Sequence, residues 1–162
     1  MKAIVVTDRA VGTAGMTLVD RPEPQAAIND VVVQVHASGF VPTELSWPET
    51  WTNRLGRDRT PSILGHELAG VVTALGYGTR GLSVGQRVFG LTDWHRDGTL
   101  AEYVAVEARN LAPLPGDVDF TVGRCRGSVA VDHCRLVGPC AAAGDQDPYR
   151  PMGITPPRRC AR

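Results

Sequence analysis

Leu64-Gly65-His66-Glu67-Leu68-Ala69-Gly70-Val71-Val72 is the stretch on which the reading of this chain turns. An apolar, β-branched strand leaves a glycine turn that carries an imidazole and a carboxylate side by side. Glycine at 65 and 70 allows positive φ or a close approach of backbone, which a side chain would obstruct. A buried His–Glu pair is costly unless its members are hydrogen-bonded or used. The stretch therefore reads as the root of a strand built around two chemically capable residues, His66 and Glu67.

Outward from it, the chain reads as short strands and turns up to about Val122. Ala3 to Thr7 is a β-branched opening strand, and Met16 to Asp20 a second, stopped by Arg21-Pro22-Glu23-Pro24, where proline removes ladder donors. Asp30 to Ala37 carries three consecutive valines and is the clearest strand. Leu68 to Ala74, Gly85 to Gly90 and Leu100 to Val106 follow, with glycine-rich turn chemistry at Gly76 to Gly81 and an extended exit at Asn110 to Pro115. Only Pro42 to Leu55 has helical or irregular character. Many short strands with regular turn signals predict a small barrel or a partly open sandwich.

Beyond Val122 neither a period of 2.0 nor one of 3.6 is present, and five prolines fall within the last 40 residues. The 123–162 segment is therefore expected to be irregular and disordered. Charge changes at the same place. The first 122 residues hold 10 basic and 14 acidic side chains, and the remainder 7 and 3. The whole chain of 162 residues has a formal net charge of zero, which gives no electrostatic reason to expect a nucleic-acid or membrane partner. That length suffices for one domain with a real core and not for two full ones. No apolar run approaches the ~20 residues that span a bilayer. The opening residues are too quickly polar for a signal peptide, so a cytoplasmic protein is expected. Cys125, Cys134, Cys140 and Cys160 contain no C-x-x-C pair, which speaks against a zinc knuckle or a disulfide framework.

The order of motifs resembles the medium-chain dehydrogenase/reductase superfamily, and within it the GroES-like catalytic domain. Gly65-His66-Glu67 with Gly70 is similar to the family's G-H-E-x-x-G signature. Val33-Gln34-Val35-His36-Ala37-Ser38-Gly39 resembles the strand that enters the active-site loop. Val84 to Val88 resembles the V-G-D-R-V turn with Gln86 for Asp, and Gly98 to Tyr103 the G-x-x-A-E-Y strand. Leu114-Pro115 stands where a coenzyme domain usually begins. The resemblance implies a mainly β fold, a GroES-like partly open β-barrel with short helices over residues 1–122, and an oxidoreductase that uses NADPH.

Zinc-dependent members carry a cysteine soon after the Ala-x-Gly. Here Val41 stands about there, and valine binds no metal. The resemblance is thus to the zinc-independent, quinone-oxidoreductase-like branch, which passes hydride to a hydrophobic quinone, enone or carbonyl. It implies that Thr43, His66 and Glu67 are catalytic, with Thr43 donating to a substrate oxygen or the nicotinamide ribose. Phe40, Trp47 and Trp51 would line the substrate cleft as a flat apolar wall. Three readings stay open for this pair. His66 and Glu67 bind a catalytic metal, they stand in the wall through hydrogen bonds alone, or His66 moves a proton, for which its ordinary pKa is suited. Likewise Trp47 and Trp51, at i and i+4, fit the buried stripe of a short helix. Trp94-His95-Arg96-Asp97 reads as an exposed turn rather than a site.

A reductase of this type also needs a glycine fingerprint between a strand and a helix, where pyrophosphate meets amide N–H groups. Neither Gly123-Arg124-Cys125-Arg126-Gly127 nor Gly138 to Gly144 has that pattern. The expectation is a frameshift or truncation near Gly123, or a nucleotide domain supplied by another chain. The alternative function is a non-catalytic GroES-like module or remnant. In either case the face that would pack on a coenzyme domain is expected to be apolar and to promote self-association.

Overall fold

The computed structural model describes residues 1–125. The expectations for the irregular tail and for Cys134, Cys140 and Cys160 lie outside the described residues.

Among the described residues, eight strands form two open sheets. β1 (Lys2–Val6), β2 (Thr17–Asp20) and β4 (Ser62–Ile63) make a three-stranded sheet in the order β2-β1-β4. β3 (Asp30–Gly39), β5 (Glu67–Leu75), β6 (Arg87–Leu91), β7 (Tyr103–Glu107) and β8 (Leu111–Pro113) make a five-stranded sheet in the order β7-β3-β5-β6-β8. Neighbouring strands in both sheets run antiparallel. Residues 100–102 stitch the sheets together: Leu100 accepts from the Ile4 N–H, Glu102 donates to Lys2 O, and Glu102 O accepts from the Val35 N–H. That stitching explains why the strand expected from Leu100 becomes regular only at Tyr103. Two-residue β4, the 3₁₀ segment at Arg9–Gly15 and the helix α2 (Phe120–Cys125) are short elements absent from the sequence reading.

The larger core lies under the five-stranded sheet. Val31, Val33, Leu68, Val72, Val88, Val104 and Val106 form one buried cluster. Asp30 to Val33 are buried at every position, so the valine run is covered on both faces. Alternation is therefore lost where the strand is deepest. A second cluster, Val6, Leu45 and Leu64, lies where the smaller sheet meets the loop after β3, with Phe40 and Trp51 packed against it. This second cluster fixes the base of the site.

A charged network holds the rim. Asp30 is 2% exposed and receives two hydrogen bonds from Arg96, at 2.6 and 3.1 Å. Arg96 also pairs with Glu107 on β7 at 3.1 Å. The 93–97 loop is thereby tied to both β3 and β7. At the far end, α2 lies on β3, β5 and β6. Phe120 is held between His36, stacked at 4.5 Å, and the Arg87 guanidinium, 4.3 Å above the ring. The helix runs through residue 122, the limit drawn for the domain from sequence.

Candidate functional site

Three segments converge on His66. The first is the turn before β5. Gly65 has φ +83°, and a Cβ there would lie 2.7 Å from Thr99 Oγ1, so the turn requires glycine. Gly70, one turn of pleat further on, lies so close to the Gln34 carbonyl of β3 that a side chain would overlap it. The second segment is a 3₁₀ turn, Pro42–Ser46, followed by the single helical turn α1 (Pro48–Trp51). The third is the loop after β6, residues 92–97.

His66 is 4% exposed. Its Nδ1 lies 2.9 Å from Thr92 Oγ1, and its Nε2 lies 3.9 Å from Glu44 Oε2. Two indoles stand beside the ring. Trp47 is stacked at 6.1 Å and Trp94 tilted at 4.7 Å, and the two tryptophans meet edge-on at 4.8 Å. Burial among these groups, with Arg59 nearby, lowers the imidazole from 6.5 to about 4; Asp93 opposes that effect. His66 is neutral at neutral pH, and its two nitrogens are a donor and an acceptor rather than two donors.

Glu44 is the buried carboxyl of the site, 3% exposed. Oε2 accepts from the Gly65 N–H at 2.8 Å and Oε1 from the Val41 N–H at 3.1 Å. Burial raises its pKa against those two hydrogen bonds, and the nearby Glu67 adds to the rise. Glu67 itself is half-buried and sits across Gly39, where no Cβ intrudes.

Arg59 joins the walls. Its Nη1 donates to Glu49 O at 2.8 Å and to Trp94 O at 3.0 Å, and Nη2 faces Asp97 at 3.4 Å. Arg54 pairs with Asp93 on the same loop. The 92–97 loop is therefore clamped by Arg59, Arg54 and Arg96 from three directions. It is exposed at Trp94, 44%, as expected from sequence, yet it also forms one wall of the His66 box.

The sequence candidates divide accordingly. His66 and Trp47 are brought together, with Glu67 next in the chain. Thr43 is exposed on the 3₁₀ turn. Phe40 and Trp51 pack on the Val6–Leu45–Leu64 cluster, and Trp51 Nε1 donates to Leu45 O at 3.0 Å. Trp47 and Trp51 thus face different surroundings, one towards the imidazole and one into the core. Glu44, Arg59, Thr92 and Trp94 are site residues that sequence reasoning missed. The signal for Glu44 lay in its place three residues after Val41; nothing local marked the others.

A metal does not fit. Val41 offers no donor beside His66, both imidazole nitrogens face protein oxygens, and no group of three or more His, Cys, Asp or Glu among the described residues converges as a metal site. Among the described residues the ladders are antiparallel and the two helices span only four and six residues. The described residues thus lack the strand–turn–helix that receives a pyrophosphate. No helix among them is long and apolar enough to cross a membrane.

A family model described as the alcohol dehydrogenase GroES-like domain matches residues 27–116. Among curated proteins, the L-threonine 3-dehydrogenase of Ruegeria pomeroyi is 28% identical over 150 residues, covering 76% of this chain and 42% of that protein. Among solved structures, an alcohol dehydrogenase superfamily protein from Novosphingobium aromaticivorans has 31% identity and a TM-score of 0.68, covering 83% of this chain and 40% of that one. A quinone oxidoreductase from Pseudomonas syringae has 26% identity and a TM-score of 0.66, covering 83% and 41%. The chain spans about two fifths of the length of these relatives. The match covers more than half of the sequence and runs through every element that builds the His66 box: the chain belongs to the alcohol dehydrogenase GroES-like domain family of medium-chain dehydrogenases and reductases.

Proposed function

We propose that this domain is the substrate-side half of an NADPH-dependent reductase of the quinone-oxidoreductase type. Its substrate is a small, planar, hydrophobic quinone, enone or carbonyl. The coenzyme and its binding unit come from outside the described residues, and the chemistry they supply is hydride donation. The observation that carries the reading is the aromatic cluster, a neutral imidazole beside two indoles that touch each other, with Trp94 exposed. A flat, electron-poor ring stacks favourably on such a wall. Thr43, exposed at the rim, and Glu67, behind the turn, complete the set proposed as catalytic. Of the residues proposed to line the cleft, Trp47 stands in the box, while Phe40 and Trp51 support it from the core.

The threonine dehydrogenases among the relatives suggest a polar alcohol as substrate. The aromatic wall and the absence of a metal donor at Val41 favour the planar carbonyl class over it. The alternative is a non-catalytic GroES-like module. Titration of the chain with 1,4-naphthoquinone, followed by tryptophan fluorescence, separates them. Saturable quenching that Trp94→Leu weakens at least tenfold supports the reading. Linear, collisional quenching that is the same in both proteins refutes it.

A further inference from the structure

His66 is addressed at both nitrogens. Thr92 Oγ1 stands 2.9 Å from Nδ1, and Glu44 Oε2 stands 3.9 Å from Nε2. Glu44, His66 and Thr92 are 3%, 4% and 4% exposed, so the row is shielded from bulk water along its length. Thr92, unlike the other two, is among the residues lining a pocket of about 420 Å³, with Asp93, Trp94, His95 and Arg54.

We propose that Glu44, His66 and Thr92 form a proton relay ending at the Thr92 hydroxyl, which makes Thr92 the residue that hands a proton to an anionic oxygen bound in that pocket.

The transfer balances without an imidazolium. Glu44 Oε2–H gives its proton to Nε2, Nδ1–H gives its proton to Thr92 Oγ1, and Oγ1–H gives its own to the ligand oxyanion. One O–H bond breaks on Glu44 and one forms on the ligand. The imidazole changes from the Nδ1–H to the Nε2–H tautomer, a carboxylate remains, and no electrons move between molecules. Solvent protons restore the carboxyl. The Glu44–His66 separation must shorten by about 1 Å to reach hydrogen-bond length, and such contacts are often long before a ligand tightens them.

The surrounding charges suit this order of events. Arg59, from the segment after α1, opposes a positive ring, while Asp93 on the 92–97 loop, itself paired with Arg54, favours it. Glu67 on β5 and burial favour the protonated Glu44, and the Gly65 and Val41 N–H groups favour its anion. Burial thus favours the neutral form of both partners, lowering His66 to about 4 and raising Glu44. A neutral acid facing a neutral base is the starting pair that the relay needs.

The relay rests on the reductive reading only for the identity of the oxyanion, and its test needs no substrate. The full chain, labelled with ¹⁵N-histidine, is titrated by NMR. As pH rises and Glu44 ionises, the neutral His66 ring is expected to switch from Nδ1–H to Nε2–H. Glu44→Gln is expected to abolish the switch. Thr92→Ser keeps it at the same pH, and Thr92→Val displaces it. A wild-type ring that keeps one tautomer throughout, or a switch unchanged in Glu44→Gln, overturns the proposal. The wild-type titration decides the matter alone if Glu44→Gln does not fold. Naphthoquinone quenching decides the reductive reading separately, so each can fail without the other.

Discussion

Arg96→Ala should destabilise this domain far more than its partial exposure suggests. The Arg96 side chain is 31% exposed, and a substitution at such a site usually changes stability by no more than about 0.5 kcal/mol. Its partner decides otherwise. The Asp30 side chain is 3% exposed, and Arg96 supplies both of its charge-assisted hydrogen bonds, at 2.6 and 3.1 Å. Removing one member of a buried pair typically costs about 3–5 kcal/mol, because the other charge is left without compensation. The lower half of that range applies, since a cavity open to the rim admits water beside the carboxylate. A loss of about 3 kcal/mol corresponds to a fall of roughly 1–3 M in the urea midpoint for ordinary values of the slope. Urea unfolding of the full chain at neutral pH, followed by tryptophan fluorescence, measures it. The double variant Asp30→Asn with Arg96→Met removes both charges and should recover most of the stability. A single variant within about 0.5 kcal/mol of wild type refutes the argument. So does a double variant no better than the single one.

Two further expectations concern the site and its surface. His66 takes up a proton near 6.5 when unfolded and only at about 4 when folded, so the unfolded chain binds more protons between those values. Stability contributed by the neutral ring is complete above 6.5 and is lost as pH falls toward 4, by up to about 3 kcal/mol; Glu44, shifted upward, opposes this with the reverse sign. Urea midpoints of wild type and His66→Gln across that window should diverge, with the variant flatter, and parallel curves would count against the buried-neutral assignment. Val41 and Trp94 are 49% and 44% exposed, and we propose that copies of the chain associate through such exposed apolar side chains. Light scattering should report mass above the monomer that Val41→Glu reduces; a clean wild-type monomer at high concentration would refute it.

Much of the β architecture was legible because it rests on local physics. Asp30 to Val33 announce a deep strand through β-branching alone, and Gly65 announces a turn because φ of +83° excludes most other residues. The unread elements are those that tertiary contact creates. β4 is two residues long and exists because Val5 and Val6 of β1 pair with it. α2 begins at a phenylalanine that is held by His36 and Arg87 from distant strands. The site divides the same way. His66 was readable from its glycine frame. Glu44 was not, because an acidic residue in a polar loop reads as solvated until the Gly65 and Val41 amides are seen to receive it. Trp94 lies on an exposed turn, as read from sequence, but its loop is held by Arg59, 35 positions away, and by the pairing of Arg96 with Asp30, 66 positions away, and no periodicity records such contacts.

The burial of His66 constrains what kind of chemistry this domain can perform. An imidazole held at about 4 is a poor general acid at neutral pH, since its charged form is scarce. Read alone, that would reduce His66 to a wall residue. The neutral ring nevertheless retains one capacity that a wall residue lacks: it accepts at one nitrogen while donating at the other. Such a group moves a proton only when a donor and an acceptor stand on its two sides, and Glu44 and Thr92 stand there. The same burial that removes acid–base strength from His66 raises the carboxyl of Glu44 and favours its protonated form. An enzyme that reduces a carbonyl or quinone must place a proton on oxygen after the hydride has arrived. On the proposed reading, Glu44, His66 and Thr92 would supply that proton, and the hydride would come from outside the described residues.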